Sequence, residues 1–479
     1  MGGDIIAGTN LVDALKVFEQ DPETEGIILV GEIGGRAEED AAEWIKDYHR
    51  RVKQPKPIAA LVGGIHAAPG RIMGHAGAWA ASGERTAAEK YKVLQDAGAT
   101  MVDHPEKFGG VMKALLSQSG RDPNKIAKNA SSQKRNYHTV RRQQIKSAVP
   151  VGATIRQQRR GLLVRPDQSI GVLHPYLSGV KGVSLSEEPA PSDAFYAGIT
   201  VDRSERSPCI ATSPTAEVSQ LGQRVRRFPY DWREGPQNAT INQAVEHMQL
   251  DAAPPVARMQ VVDLIRTLAR MYKEKEAVTI SGAVSIDSAG SLQLHKPSLV
   301  LQFDDAAYRS NKRQEDVHSL RQRHTEVPEE VEAEKDGIVF VKLDDPEANI
   351  GTLVNGAGLA MNTVDALRLH GGKATNFLDT GGKATSETVK KSFELIVEDP
   401  RVKVIFVNIF GGLTDGGMIA EGILLAFKEV DMKGKPVVVR IRGTNEEVGQ
   451  KIIAESGLDL EAFDGFAEAA DRVVELARA

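Results

Sequence analysis

One phrase occurs twice in this chain, and it constrains the fold more than any other feature. DPETEGIILVGEIGG at residues 21–35 parallels DPRVKVIFVNIFGG at 399–412, apart from one residue of spacing. In each copy an apolar run of strand length empties into a Gly-Gly pair that precedes a helical pattern. Buried strands that alternate with helices build parallel sheets covered by helices. At the C-terminal edge of such a sheet, a Gly-Gly turn opening a helix can present backbone N–H groups and a positive helix end to an anion. A tight turn alone would account for either copy singly. Repetition in two similar contexts favours the anion reading.

The surrounding patterns agree with an α/β fold. Leu11–Glu19 and Glu38–Arg50 have helical spacing, 26–30 and 57–62 are apolar strand runs, and 87–95 is a helix. The C-terminal part repeats this grammar: strands over 337–343, 402–408 and 436–441, and helices over 362–370, 386–398, 418–429, 445–456 and 467–478. Between them the texture is poorer. Strands are expected over 194–201 and 277–286, a helix over 256–273, and a charged, solvated connection over 311–335.

Residues 123–166 contain no Asp or Glu, while Lys134, Arg135, Arg141, Arg142, Lys146, Arg156, Arg159 and Arg160 accumulate among Ser, Gln and Asn. Such a stretch cannot build a core. It reads as a basic, presequence-like linker, and two origins stay open: a solvated linker, or a targeting segment trapped by gene fusion. The expected division is 1–122, the linker 123–166, a middle region 167–335, and 336–479. A single cysteine, Cys209, excludes an internal disulfide and a thiolate metal cluster. The net charge of −5 gives no global reason to expect nucleic-acid binding, and no apolar run reaches membrane-spanning length.

The run AAPGRIMGHAGAWA at 67–80 places His75 among small residues that let other groups come close. A lone histidine in such a run is usually structural. Imidazole is also nucleophilic near neutral pH and can carry a phosphoryl group once a carboxylate fixes its tautomer. Glu32, in the Gly-Glu-Ile-Gly-Gly turn, is the candidate carboxylate.

Here the resemblance becomes specific. GEIGG at 31–35, AEEDAA at 37–42 and APGRIMGHAGA at 68–78 resemble the α subunit of the succinyl-CoA synthetase (succinate–CoA ligase) family. VNGAGLAM at 354–361, LHGGKATNFLDTGG at 369–382, VNIFGG at 407–412 and VVVRIRGTNEEVG at 437–449 resemble its β subunit. The resemblance implies two flavodoxin-like CoA-ligase domains with parallel sheets, flanking a degenerate ATP-grasp-like region. It implies a tricarboxylic acid cycle type of reaction in which ATP or GTP, with Mg, phosphorylates a histidine, the phosphoryl group passes to succinate, and CoA displaces it. His75 matches the phosphohistidine and Glu32 the glutamate that orients it. Gly411 and Gly412 match the start of a helix facing that histidine. Asn355 and the loop Gly412, Leu413 and Thr414 match the positions that hold the succinyl carboxylates.

The pattern also breaks. The family's CoA-binding domain is not expected within this chain, because MGGD at residues 1–4 stands for an internal Ile-Gly-Gly-Asp of the family and Met1 is either a true start or an artefact of gene prediction; the Gly-Gly-Arg-Gly-Lys loop of the nucleotide site is missing between 160 and 193. The family's Glu-Ile-Asn-Pro-Leu is replaced by Ile280, Ser281, Gly282, Ala283 and Val284, and its magnesium-binding Asp aligns with Lys296. Hard cations need oxygen ligands, so no metal site is assigned and no cofactor is certain. After the second Gly-Gly, Asp415 stands where the family has an Arg, which changes the local field against a phosphoryl group. Three classes follow: an acid–CoA ligase with an impaired nucleotide step, a catalytically inactive relative (a pseudoenzyme) acting as a structural or regulatory subunit, or a truncated product. A tether of this length is expected to let the two ligase halves pair within one chain. The expected partners are a small carboxylate and a synthetase subunit or second copy of the chain. The expected location is the mitochondrial matrix, with the cytoplasm as alternative.

Overall fold

The computed structural model describes residues 8–68, 70–75, 77–80, 84–124, 162–164, 168–251, 253–303, 313–321, 323, 326–381, 384–412 and 414–479. Most of the basic stretch at 123–166 therefore lies outside the described residues. The rest forms an α/β protein organised by three sheets.

The first sheet is parallel, in the order β1 (Ile27–Glu32), β2 (Ile58–Gly63), β3 (Thr100–Met101). Its helices are α1 (Leu11–Gln20), α2 (Ala37–Arg51), α3 (Ala87–Asp96) and α4 (Phe108–Gln118). Capping boxes start α1, with Asn10 and Asp13, and α3, with Thr86 and Glu89. Each side chain there satisfies an N–H that the helix itself cannot.

The middle sheet holds β4 (Leu162–Val164), β5 (Val183–Ser186), β6 (Phe195–Asp202), β7 (Ser207–Ser213), β8 (Arg226–Pro229), β9 (Ala277–Ile286), β10 (Leu292–His295) and β11 (Val300–Phe303). Its path runs β4-β11-β9-β6-β7-β8, antiparallel throughout, with β10 joining β9 to β5. Helices α5 (Ser169–Leu177), α6 (Val218–Arg224), α7 (Asn238–His247) and α8 (Pro255–Glu274) belong to this part. It has its own apolar core.

Two short helices follow, α9 (Glu315–His318) and α10 (Pro328–Lys335), in the stretch expected to be a solvated connection. That expectation is corrected for α10. Ala333 is fully buried, and Glu330 is buried because it receives the guanidinium of Arg71 from the first ligase half.

The third sheet runs β12-β14-β13-β15-β16-β17, from β12 (Val339–Lys342), β13 (Ile350–Val354), β14 (Asn376–Asp379), β15 (Val404–Gly411), β16 (Val437–Gly443) and β17 (Glu461–Ala462). β12 is antiparallel and the remainder parallel. Its helices are α11 (Ala357–Leu369), α12 (Ser386–Val397), α13 (Gly416–Glu429), α14 (Glu446–Glu455) and α15 (Phe466–Arg478).

One core unites the first and third sheets: Leu29, Ile45 and Met73 share a buried cluster with Met361, Phe377 and Phe406. Polar contacts then fix the relative position of the halves. The buried Asp365 carboxylate on α11 accepts the N–H groups of Gly64, Ile65 and His66 at 2.8, 3.0 and 2.8 Å and pairs with His66 Nδ1 at 3.0 Å. Across the same junction His104 stacks on Phe466 with ring centroids 3.9 Å apart, and Phe466 N donates to Glu106 at 2.9 Å. Burial, then the charge of Arg440, pushes the His104 imidazole down to about 4.

Candidate active site

The first Gly-Gly turn is anchored from below. β1 ends at Glu32, and the fully buried Lys90 on α3 donates to Glu32 O at 3.0 Å, Gly34 O at 2.7 Å and Glu38 Oε2 at 2.6 Å. Glu38 Oε1 in turn accepts Glu32 N–H at 3.0 Å, and Glu84 accepts Gly35 N–H at 3.0 Å. A buried charge pair persists only when its remaining hydrogen-bonding capacity is met, as here by carbonyls and an amide of the turn. Gly34 adopts φ +86°, and a Cβ there would lie 2.3 Å from Trp79 O, so only glycine lets the two loops touch.

His75 sits in the facing loop. Gly74, at φ +97°, has no room for a Cβ because Ala357 Cβ would be 2.2 Å away, which seats the loop directly on the start of α11. His75 Nε2 stands 3.2 Å from Glu32 Oε2, with side chains 22% and 31% exposed. The pair is thus partly covered, and His75 Nδ1 itself is buried. A carboxylate beside one ring nitrogen holds the N–H there and leaves the lone pair on the other. From the middle sheet, Arg203 in the β6–β7 hairpin donates to Gly77 O at 2.9 Å and Trp79 O at 3.3 Å. Ser204 bonds Asp40 and Arg206 pairs with Asp13 beside it.

The second Gly-Gly turn is built differently. Asn355 donates from Nδ2 to Phe410 O at 2.9 Å and to Thr414 Oγ1 at 3.2 Å, and accepts Phe410 N–H at 2.8 Å. Its carboxamide therefore holds the end of β15. Gly411 still belongs to the strand, paired with Gly443, and the helix starts only at Gly416. Asp415 caps that helix, accepting Gly417 N–H at 2.8 Å and Met418 N–H at 3.1 Å. The Asn445 amide and those N–H groups hold the Asp415 carboxyl below its usual range. Leu413 lies outside the described residues.

Glu32, His75 and Asn355 line one cavity of about 660 Å³, together with Phe410, the residue before Gly411. Much of its wall is apolar, from residues such as Val30, Leu61, Leu359 and Met361. The structure thus gathers Glu32, His75, Asn355 and Phe410 around a shared space, whereas Gly411, Gly412 and Thr414 are not among its lining residues.

Elsewhere the chemistry is poorer. Ile280–Val284 occupy the buried strand β9, and Lys296 Nζ is paired with Glu187 at 2.8 Å. Cys209 is buried and its thiol is pushed up to about 12 by desolvation, which leaves it inert. Among the described residues no group of three or more His, Cys, Asp or Glu is placed to hold a metal ion. Lys90, Asp365 and Arg203 were not singled out from sequence. Their roles depend on partners 52 to 301 positions away, which no local pattern signals.

The sequence profile of the CoA-ligase family matches residues 1–100 and 353–474. The β subunit of succinate–CoA ligase [ADP-forming] from Acidovorax sp. (strain JS42) is 43% identical over 220 residues, 46% of this chain and 55% of that protein. The corresponding protein of Pelodictyon phaeoclathratiforme is 33% identical over 360 residues, 69% of this chain and 86% of its own length. The mitochondrial β subunit of Neurospora crassa is 35% identical over 307 residues, 62% and 65% of the two chains. Against the Acidovorax protein, the chain spans little more than half the relative's length.

Proposed function

The chain belongs to the succinate–CoA ligase family, and from that premise we propose that its Glu32–His75 cavity carries out the phosphohistidine half of acid–thiol ligation, with the nucleotide step impaired. The carboxylate 3.2 Å from the imidazole, in a cavity lined from both parallel sheets, carries this reading. Glu32 holds the Nε2–H, and the lone pair of Nδ1, covered in the resting structure, takes up a phosphoryl group once the ring turns toward the cavity. An acid's carboxylate oxygen then attacks phosphorus, the N–P bond breaks, and an acyl phosphate forms. A thiol sulfur attacks the acyl carbon, phosphate leaves with the thiol proton, and the thioester results. The apolar wall keeps water from both labile intermediates. Asn355, whose amide bonds Phe410 and Thr414, is the residue proposed to meet the acid in the cavity.

Coenzyme A, Mg and ATP or GTP are what the family implies. CoA would supply the thiol. The residues aligned with the nucleotide site do not fit a magnesium nucleotide: β9 offers no carboxylate at 280–284, and Lys296 brings a cation already paired with Glu187. Acyl phosphate is the phosphoryl donor in the reverse half-reaction. A second reading, an inactive structural or regulatory subunit, is favoured by Asp415, whose carboxylate occupies the helix N-terminus that would otherwise meet a phosphoryl group.

The working division remains 1–122, 123–166, 167–335 and 336–479. A synthetase subunit or second copy would dock against β1, an edge strand among the described residues, where Ile28 and Val30 are 49% and 58% exposed. Among the described residues no helix is long and apolar enough to cross a membrane. The mitochondrial matrix is the proposed location, the Neurospora relative being a mitochondrial protein, with the cytoplasm as alternative. Incubation with radiolabelled ATP, GTP, or succinyl-CoA plus labelled phosphate tests the reading. Acid-labile, alkali-stable label that disappears in His75→Asn supports it. A folded protein that takes no label from any donor leaves the structural-subunit reading.

A further inference from the structure

The middle sheet reaches the His75 site through the hairpin that joins β6 to β7. Its turn is preset by the buried Asp202, whose Oδ1 accepts Ser204 N–H at 3.0 Å and Glu205 N–H at 3.1 Å. From this turn Arg203 donates to Gly77 O and Trp79 O in the His75 loop. Its stem lies on the first Gly-Gly turn: a Cβ on Gly35 would be 2.7 Å from Arg203 Cδ, and one on Gly34 2.9 Å from Nη1, so both glycines leave room for this side chain. The guanidinium thus meets the chain two residues past Glu32 on one side and two residues past His75 on the other, each at most about 7 Å of backbone away. It lines the same cavity as that pair. Carbonyls accept from it and, among the described residues, no carboxylate pairs with it, so its charge is not cancelled. The other positive groups nearby are already matched. Lys90 is paired with Glu38, Arg36 faces Glu39 at 3.6 Å, and the N-terminus of α13 is capped by Asp415.

We propose that Arg203 supplies the positive charge that meets the phosphoryl group on His75, so that the middle region, which does not fit a magnesium nucleotide, still completes the site. The inference rests on the phosphohistidine reading of the Glu32–His75 cavity. A phosphoryl group carries about two negative charges. Against a largely apolar wall such a dianion is costly unless a cation or aligned donors face it. A guanidinium has more N–H donors than the two carbonyls use, and its planar fork suits phosphate oxygens. The contacts on Gly77 and Trp79 also fix where the loop sits, so charge and clamp are the two roles an experiment must separate.

The test is labelling of the full chain by radiolabelled phosphoramidate, a donor that needs neither nucleotide nor coenzyme A. A ring nitrogen of His75 bonds to phosphorus as the P–N bond of the donor breaks and ammonia leaves. Arg203→Lys keeps the charge and gives up the fork, whereas Arg203→Gln can still donate to a carbonyl and has no charge. The expected result is labelling within about threefold of the parent in Arg203→Lys and about tenfold or more below it in Arg203→Gln, the gap shrinking as salt is raised. Arg206→Met removes the neighbouring contact with Asp13 and is expected to label as the parent does. Thermal melts establish that each variant compared is folded. Equal labelling of the parent and Arg203→Gln, or loss in Arg203→Lys with Arg203→Gln retained, would overturn the proposal and leave the phosphohistidine reading intact, the second pattern marking a clamp. Loss in Arg206→Met as deep as in Arg203→Gln would overturn it too, because hairpin docking would then explain both. If both Arg203 variants lose label, the parent decides: labelling that slows with salt supports the charge, and labelling indifferent to salt overturns it. A parent that takes no label, or label that persists in His75→Asn, would remove the phosphohistidine reading itself and this inference with it.

Discussion

At the first Gly-Gly turn the strand passes quickly into its helix, from Glu32 to Ala37, and the turn is tied down from beneath by the Lys90–Glu38 pair. At the second, β15 runs on through Gly411, and five residues later α13 begins under a cap from its own Asp415. The same phrase thus leads to two different local chemistries. The first turn projects a carboxylate at a histidine, and the second satisfies its helix N-terminus internally. The difference teaches that a repeated strand-turn sequence specifies a backbone path, while the charges that contact that path decide what it can bind.

The largest effect expected from breaking this contrast is at Lys90. Lys90→Met strips the buried Glu38 of its counter-charge and should cost roughly 3–5 kcal/mol, read as a fall in the denaturant midpoint. The contact that joins the halves should respond to acid. His104 titrates near 4 in the folded chain against about 6.5 unfolded, so its neutral form is native. Stability is fully present above about pH 6.5 and is lost as pH falls toward 4, by up to roughly 3 kcal/mol. His104→Phe should flatten that part of the pH profile, since the nearby charges of Arg440, Glu106, Asp103 and Lys107 act there through the imidazole.

At the second turn the two glycines separate. A Cβ on Gly411 would lie 2.6 Å from Thr414 O, whereas a Cβ on Gly412 meets nothing within 4 Å. Gly411→Ala should destabilise by about 1–3 kcal/mol and Gly412→Ala by less than about 0.5 kcal/mol, as thermal melts would show. The smallest effect on folding is expected at Asp415. Asp415→Asn keeps a competent cap and removes the charge, so stability should change little while inorganic phosphate protects the 411–417 backbone more strongly in hydrogen exchange.

Much of the element pattern was legible in the sequence because it is local. Apolar runs gave β1, β2 and β9 to within a residue or two, and amphipathic spacing gave α1, α2, α3 and α12. Where expectation and structure differ, long-range pairing decided. Helix α11 begins at Ala357, five residues ahead of the expected Asn362, because small residues that read as a loop are seated against Gly74 and held by Gly356 N–H on Asp379. β15 reaches Gly411, past the expected Asn408, because β16 pairs with it that far. At the site, His75 and Glu32 were recognisable from residue type and resemblance. Lys90, Arg203 and Asp365 were not, since a lysine, an arginine and an aspartate in ordinary helical or hairpin contexts carry no mark of the distant carbonyls and amides they meet.

Two halves of one chain close over one cavity, and a disulfide across the junction is the direct test. A Cβ built on Gly63 lies 3.8 Å from Met361 Cβ, the separation a disulfide needs, and the only native cysteine, Cys209, is buried. After proteolysis within 123–166, the Gly63→Cys, Met361→Cys double variant oxidised in dilute solution should stay at full mass on a non-reducing gel and split on reduction. Failure to cross-link, or cross-linking only between chains, would contradict the account.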